Sequence, residues 1–455
     1  MSIFNGKRLS NSTFKLDIER MRTGWYSDKY FVNIAQTLQV LAESGYRFPG
    51  QSPVLQKLGI DPTSLLTGNI EVEMQFFTRR QPRALIAGVD KALSMLRHCT
   101  GFFTDDGTFV ETWDKLRVEA VQDGVMTTYN GDPRRVQPVL RVRGRYRDFA
   151  LLETPILGAL ARASRIATNV YNTLEAARGK PVLFFPARFD AHEVQAADGY
   201  AYDIGVNRFN HDYQQHVSSI VSTDAQGDWW GGLGGGTVAH AAIACFLGDT
   251  VQAMLAFAAV RPPEQPRIAL VDFSNDSVGT SLAVLRAMFE QYRTLTDAGN
   301  LAEAEKYKLY GVRLDTSSNM RDVSVPPLGD KMLDNGVNPR LCWKVRQAID
   351  NEWQQWDLPD AWCERARAYC HDVKIVVSGG FNPKKISRFE ELGVPVDIYG
   401  VGSSLMSNDD RMGTNTDFTA DVVRVKVNGS WVNLSKKGRY PNDNPDLEPV
   451  DLREL

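Results

Sequence analysis

Short apolar runs alternate with helical stretches along the second half of the chain. From Ala150 onward, runs rich in Val, Ile and Leu each lead through a Gly-rich or polar turn into a segment with helical spacing. The predicted strands are Pro181–Arg188, Arg267–Phe273, Lys308–Leu314, Lys374–Val377 and Val396–Gly400. The helices predicted after the first four strands are Ala191–Tyr202, Gly279–Thr294, Asn338–Trp356 and Asn382–Leu392. This alternation predicts the α/β class, with parallel strands in an open doubly wound sheet or a closed barrel.

The first 150 residues lack this regular alternation. They mix predicted helices (Tyr30–Glu43, Arg83–Leu96) with predicted strands (Asn69–Phe77, Val139–Arg145), which indicates an α+β arrangement.

The amino-acid pattern changes again toward the end of the chain. Thr416–Val432 has the pattern of further strand, and Lys436–Leu455 is rich in Pro, Asn and Asp, so we expect a surface tail there. The predicted domains are therefore residues 1–150, residues 151–405 with the candidate site, and a C-terminal segment of residues 406–455.

Composition and charge narrow the class of partners. The 455 residues include 52 Lys and Arg against 55 Asp and Glu, which gives a formal net charge of −3. A nucleic-acid-binding protein usually carries a basic excess, so we expect no nucleic-acid partner. The five cysteines form no C-x-x-C pair, and the start of the chain lacks the apolar stretch of a signal peptide. These features favour a cytoplasmic protein with reduced thiols, no structural zinc and no membrane segment.

Charged side chains occur where the predicted strands end. Asp272 lies at the end of one strand, and Arg313 and Asp315 close the next. Because the carboxyl ends of parallel strands face one crevice or barrel mouth, these side chains are expected to share a site. A guanidinium there can hold phosphate, while a carboxylate can bind ribose hydroxyls or hold Mg²⁺ through water. The alternative is a local Arg–Asp ion pair.

Two Gly-rich turns close the last two predicted strands, Ser378-Gly379-Gly380 and Gly400–Ser404. Glycines allow backbone N–H groups to approach an anion closely, and a following helix N-terminus adds partial positive charge. The pair of turns therefore predicts a phosphate ligand, although Gly-Gly also serves to reverse a chain.

His240 lies where a Gly-rich run meets a predicted helix. Its imidazole could act as a nucleophile toward a phosphoryl group or as a positioned acid. A buried histidine bonded to a backbone carbonyl explains the pattern equally well, so both interpretations stay open.

Several sequence blocks occur in an order that resembles one enzyme family. They are YSDKY (26–30), MQFFTRR (74–80), LLETPILG (151–158), FPAR (185–188), GGGTVAH (234–240), LVDFSND (270–276), GVRLD (311–315), SGG (378–380), GVGSSL (400–405) and DFT (417–419). Together they resemble the nicotinate phosphoribosyltransferases, type II enzymes related to nicotinamide and quinolinate phosphoribosyltransferases. The resemblance implies an irregular α/β barrel with an α/β sandwich domain built from the N-terminal part and the C-terminal segment. It also implies a homodimer with shared active sites.

The resemblance assigns roles to particular residues. Tyr30 would reach across to cover the pyridine ring, Phe185 would stack on the opposite face, and Arg188 would hold the carboxyl or carboxamide group. His240 matches the histidine that ATP phosphorylates. The positions that match those around phosphoribosyl pyrophosphate and its 5-phosphate are Asp272, Arg313, Asp315, Ser378, Gly379, Gly380, Gly402 and Ser403.

The implied reaction joins nicotinate to phosphoribosyl pyrophosphate in NAD biosynthesis, with ATP as co-substrate and Mg²⁺ held without direct protein ligands. Two features depart from the family pattern. Arg188 is followed by Phe189 where many nicotinate enzymes have a second arginine, and Asp224 would favour a carboxamide. Nicotinamide and quinolinate therefore stay open as alternative substrates, as does a ligand-binding barrel without turnover.

Overall fold

A computed structural model describes residues 4–236 and 238–455. The strands are β1 Glu71–Thr78, β2 Arg83–Leu85, β3 Gly101–Phe103, β4 Phe109–Glu111, β5 Arg117–Ala120, β6 Met126–Thr128, β7 Leu140–Arg145, β8 Val182–Phe184, β9 Ile268–Leu270, β10 Gly311–Leu314, β11 Lys374–Val377, β12 Ile398–Val401, β13 Phe418–Val427, β14 Ser430–Asn433 and β15 Glu448–Val450. The α-helices are α1 Ile18–Arg22, α2 Lys29–Glu43, α3 Pro53–Lys57, α4 Val89–Cys99, α5 Tyr146–Phe149, α6 Glu153–Ala176, α7 Gln195–Tyr213, α8 Asp224–Gly227, α9 His240–Cys245, α10 Thr250–Val260, α11 Ser277–Asp297, α12 Leu301–Glu305, α13 Lys331–Asp334, α14 Pro339–Glu352, α15 Asp360–Asp372 and α16 Pro383–Glu391.

The chain divides into two compact units. The first unit contains the residues up to Tyr171 together with Tyr200–His211 and Ser407–Leu455, and the second contains Asn172–Gly199 and Asp212–Met406. Among the helices that the structure describes, none has both the length and the apolar composition needed to cross a membrane.

The first unit is built on an antiparallel sheet in the order β14-β13-β1-β7-β5-β15. Alternate residues of β1, including Met74 and Phe76, enter a core that also contains Leu93 of α4 and Leu160 of α6. Glu73, which precedes Met74 and lies on the other face of β1, is also buried. It accepts hydrogen bonds from Arg143 Nε at 2.6 Å and Arg424 Nη1 at 2.8 Å. These paired charges let the second face of the sheet be covered as well.

The C-terminal residues provide part of that cover, which corrects the expected surface tail. Gln75 Nε2 of β1 donates to the carbonyl oxygen of Tyr440 at 2.9 Å, and β15 pairs antiparallel with β5. Asn444 is buried and donates to the carbonyl oxygen of Pro138 at 3.0 Å. The polar, Pro-rich composition hid this role, although Leu452 is buried in the core and Leu447, Val450 and Leu455 pack against it.

The second unit is built on a parallel sheet in the order β8-β12-β11-β10-β9. Its helices follow the strands, so the predicted α/β class is confirmed. One face of the sheet carries a small apolar cluster, to which β8, β9, β11 and β12 contribute Leu183, Ile268, Val376 and Ile398. Beyond β8, Val221 forms isolated parallel bridges to Phe184 and Gly234. Because all four pairings between neighbouring strands are parallel, the carboxyl ends of the five strands lie at one edge of the sheet.

Some predicted elements have different limits or types. The helix predicted at Arg83–Leu96 was wrong at its start, since β2 occupies Arg83–Leu85 and α4 begins at Val89 after Gly88, whose φ is +91°. The pairing of β2 with β6 explains the difference, because a partner distant in sequence overrides local helix propensity. The helix predicted from Ala191 is α7, which begins at Gln195.

The strand predicted at Pro181–Arg188 is shorter than expected. β8 ends at Phe184, and Pro186–Phe189 forms a 3₁₀ turn. This turn removes Phe185 and Arg188 from the sheet and places them at its carboxyl edge.

Candidate active site

His240 and Asp272 form the first pair of the candidate site. His240 is the first residue of α9, and its Nε2 lies 2.9 Å from Oδ1 of Asp272, which comes two residues after β9. The His240 side chain is 45% exposed and that of Asp272 is 9% exposed. His240 is therefore not a buried histidine bonded to a carbonyl, but an accessible imidazole oriented by a carboxylate. Thr237, in the same GGGTVAH block, lies outside the described residues.

Arg313 is a largely buried cation beside this pair. Its Nη2 donates to the carbonyl oxygen of Val238 at 3.3 Å, and its Nη1 lies 3.9 Å from Oδ2 of Asp315. The buried Nε has no hydrogen-bond partner among the described residues. Burial lowers the pKa of Arg313, an effect that Asp315 and Asp272 oppose and that Arg188 reinforces. A guanidinium remains charged under such a shift, so its free donor is suited to an anionic ligand.

Asp315 connects Arg313 to the first Gly-rich turn. Ser378 Oγ donates to Asp315 Oδ1 at 2.8 Å, and Ser378 itself is buried at the end of β11. Gly379 has φ +86°, and a Cβ there would lie 3.3 Å from Asp315 Oδ1. Only glycine adopts this backbone conformation without strain, so the sequence Ser-Gly-Gly allows the turn to approach the carboxylate. Helix α16 follows directly, with Asn382 as its N-cap.

Phe185 lies over the end of β12. Its backbone N–H donates to the carbonyl oxygen of Val401 at 2.9 Å, and a Cβ on Gly400 would lie only 2.8 Å from Phe185 Cε2 and 3.2 Å from Ser378 Cβ. The ring, Gly400 and Ser378 are therefore neighbours.

The second Gly-rich turn meets another aromatic ring. A Cβ on Gly402 would lie 2.6 Å from Phe189 Cε2. Arg188 is exposed, and its guanidinium carbon lies 5.4 Å from the centre of the Phe189 ring. Ser403 begins the 3₁₀ turn Ser403–Met406 directly after Gly402.

The turn before α8 was only partly identified from the sequence. Gln226 is buried, and its Oε1 accepts from Ser222 N–H at 3.0 Å and from Ser222 Oγ at 3.1 Å. Thr223 and Gln226 form a capping box, which the spacing Thr-x-x-Gln could have revealed. Asp224, considered above as a carboxamide ligand, accepts a hydrogen bond from Gly234 N–H at 2.9 Å through Oδ1.

Tyr30 lies in the first unit, near the start of α2. Its side chain is 63% exposed, and its hydroxyl donates to Asp28 Oδ2 at 3.1 Å. The role assigned to it across a subunit boundary stays a prediction.

Comparison with known proteins supports the fold. Residues 61–164 match the family model described as quinolinate phosphoribosyl transferase, N-terminal domain. Nicotinate-nucleotide pyrophosphorylase from Pyrococcus furiosus is 24% identical, over 93% of this chain and 79% of that chain, with a TM-score of 0.57. Human nicotinic acid phosphoribosyltransferase is 18% identical, over 88% of this chain and 74% of that chain, with a TM-score of 0.49.

Residues 61–164 are thus similar to the N-terminal domain of quinolinate phosphoribosyl transferases, and the fold is similar to that of the Pyrococcus furiosus protein. A shared fold leaves the reaction and its substrates to be argued from the site itself.

Proposed function

We propose that the chain is a nicotinate phosphoribosyltransferase that forms nicotinate mononucleotide and pyrophosphate from nicotinate and phosphoribosyl pyrophosphate. The observation that carries the proposal is a series of short contacts at the carboxyl edge of the parallel sheet. The series includes the pair His240–Asp272, the largely buried Arg313, the pair Asp315–Ser378 and the ring of Phe185 over Gly400. An accessible imidazole, a largely buried cation and an aromatic ring thus occur at one edge.

The transfer requires little covalent work from the protein. The pyridine nitrogen forms a bond to the anomeric carbon, and the bond from that carbon to pyrophosphate breaks, with the electron pair leaving on pyrophosphate. Arg313 would stabilise the phosphate charge through its free donor, and Asp272 and Asp315 would balance positive charge on the ribose. The rest of the catalysis is positioning of the two reactants.

The base would lie against Phe185. A flat pyridine ring stacks well on an aromatic face, and the exposed Arg188 is suited to a carboxylate through paired hydrogen bonds. In the proposed homodimer, Tyr30 of the partner subunit would cover the opposite face of the ring.

His240 would couple the reaction to ATP. Because Nε2 faces the Asp272 carboxylate, the favoured tautomer carries its proton there and leaves the lone pair on Nδ1. Nδ1 would attack the γ-phosphorus of ATP, forming an N–P bond while the P–O bond to ADP breaks. The added negative charge would lie near the phosphate-binding cation Arg313.

Mg²⁺ fits this donor set as an ion that arrives with the substrate phosphates. Among the described residues, no group of three His, Cys, Asp or Glu side chains could hold a metal by itself. Asp272 and Asp315 would meet the ion through water. When bound, Mg²⁺ would neutralise part of the charge on pyrophosphate.

Two other bases each have one observation in their favour. The matched family model is described as quinolinate phosphoribosyl transferase, and a carboxylate at Asp224 would suit the amide of nicotinamide. The hydrogen bond from Gly234 N–H occupies one oxygen of Asp224. Nicotinate remains the proposal because the exposed Arg188 would meet a carboxylate beside Phe185.

The proposal is tested by following pyrophosphate release from protein, Mg²⁺ and phosphoribosyl pyrophosphate with nicotinate, nicotinamide or quinolinate in turn, with and without ATP. We expect release with nicotinate and a higher rate when ATP is present. Faster release with either other base would replace the assigned substrate. Binding of a base without any release would indicate a barrel that no longer turns over.

A further inference from the structure

The residues between β10 and α14 form an ordered segment beside the candidate site. We call residues 316–338 the rim segment, because it begins directly after Asp315. Its two ends are joined to each other, since Gly336 N–H donates to the carbonyl oxygen of Met320 at 2.8 Å and Arg321 forms an antiparallel bridge with Asn335. The segment is therefore closed on itself rather than a loose connection.

Asp322 anchors the rim segment to the start of α11. It is fully buried, and its Oδ2 accepts hydrogen bonds from the backbone N–H and the hydroxyl of Ser277 at 3.0 and 2.6 Å. Its Oδ1 accepts from Ser324 N–H at 2.9 Å. A buried carboxylate with three donors is held firmly, because its loss would leave those buried donors without partners.

Further bonds join the rim segment to the turn that follows Asp272. Asn275, with φ +60°, donates through Nδ2 to the carbonyl oxygen of Arg321 at 2.9 Å and accepts from Val323 N–H at 3.1 Å. The Asn275 N–H donates back to the carbonyl oxygen of Asp272 at 2.9 Å. Asp276 Oδ1 also accepts from Ser324 Oγ at 3.2 Å. The rim segment is thus hydrogen-bonded to both backbone and side-chain atoms of the turn.

We propose that Asp322 is a positioning residue that fixes Asp272, and through it His240, relative to Asp315. Asp315 directly precedes the rim segment in the chain. Asp272 is connected to the rim segment through the turn that follows it, which is hydrogen-bonded to Asp322 at Ser277. The carboxylates of Asp272 and Asp315, which follow the neighbouring strands β9 and β10, are thereby both held by the rim segment. This inference rests on the proposed function only for its kinetic readout, because the orientation of His240 can be measured without any substrate.

The test compares Asp322→Asn with Asp334→Asn as a matched control. Asp334 is also buried in the rim segment and accepts from Leu328 N–H, Gly329 N–H and Arg340, but among the described residues it makes no hydrogen bond to the turn at residues 272–278. In Asp322→Asn the amide supplies one acceptor oxygen and turns an NH₂ group toward a donor, so the clamp is disrupted without loss of volume. Ser277→Ala is a milder variant that removes only the 2.6 Å hydroxyl bond.

The first readout is the ¹⁵N spectrum of the histidine side chains, with the His240 signals assigned by their loss in His240→Gln. We expect Asp322→Asn to shift the His240 signals and Asp334→Asn to leave them unchanged. The second readout is steady-state kinetics, in which Asp322→Asn should lower kcat about 10- to 100-fold with little change in KM for the base. Asp334→Asn should keep the kcat of the unmodified chain.

A folded Asp322→Asn protein with unchanged His240 signals and unchanged kcat would overturn the inference. Equal losses in Asp322→Asn and Asp334→Asn would also overturn it, since they would show a merely structural role. If Asp322→Asn fails to fold, Ser277→Ala decides by the same two readouts. A chain that transfers phosphoribosyl to no base would overturn the proposed function, while the His240 spectrum would still test the role of Asp322.

Discussion

Replacing Gly400 by alanine should displace the Phe185 ring and weaken binding of the base. The new Cβ would lie 2.8 Å from Phe185 Cε2, whereas nonbonded carbons prefer about 3.5 to 4.0 Å, so the ring must move by roughly 0.7 Å or more. Because Phe185 is only partly buried, the ring can yield, and we expect a stability loss near the lower end of the roughly 1 to 3 kcal/mol typical of overpacking.

The effect on binding of the base should be similar in size to the effect on folding. An aromatic stacking contact contributes about 0.5 to 1.5 kcal/mol, so its loss should raise KM for the base roughly 2- to 12-fold. KM for phosphoribosyl pyrophosphate should change less. The hydrogen bonds and ion pairs that Asp272, Arg313 and Asp315 form with other described residues do not involve Gly400.

A double-mutant cycle tests this explanation. KM for the base is measured in the unmodified chain, Gly400→Ala, Phe185→Ala and the double variant, with thermal unfolding as a control for folding. If Gly400→Ala acts through the ring, it should add little once Phe185 is absent. An equal increase in KM in both backgrounds would refute the reasoning.

Three other changes have defined outcomes. Burial, and after it the nearby carboxylates of Asp421 and Asp28, raise the pKa of Glu153 from the usual 4.5 to about 8. The stability that this group contributes is therefore complete below pH 4.5 and is lost as the pH rises through 8. Urea unfolding from about pH 5 to 9 should therefore show the unmodified chain losing about 3 kcal/mol relative to Glu153→Gln, with exposed Glu290→Gln as a control that shows no such difference. Arg267 is buried and donates to five carbonyl oxygens, so Arg267→Lys should lower the free energy of unfolding by about 3 kcal/mol, and an unchanged urea midpoint would contradict this. His240→Ala should leave base binding nearly intact while abolishing the stimulation by ATP; unchanged ATPase and transferase rates would remove His240 from the mechanism.

The sequence predicted much of the candidate site because strand ends are readable from local pattern. The strand at Lys374–Val377 has the predicted limits. Asp272 follows β9, Arg313 lies in β10 and Asp315 follows β10, and these two strands are neighbours in the sheet. Parallel strands joined by helices must bring their carboxyl ends to one edge, so residues far apart in the chain could be grouped without coordinates.

Other contacts depended on partners that the local pattern does not specify. The role of Asp322 could not be read from the sequence, because an aspartate in a polar insertion is usually exposed and only the fold brings it to Ser277. The approach of Phe185 to Gly400 likewise depends on where β8 ends against β12.

The amino-acid sequence by itself determined the α/β class, the parallel strands and the chemical types at their ends, because periodicity and turn residues act over short distances. The tertiary structure decided that β2 is a strand rather than a helix, that the C-terminal residues complete a sheet, and that His240 faces Asp272. Each of these depends on the free energy of a pairing between distant segments, which exists only once the chain has folded.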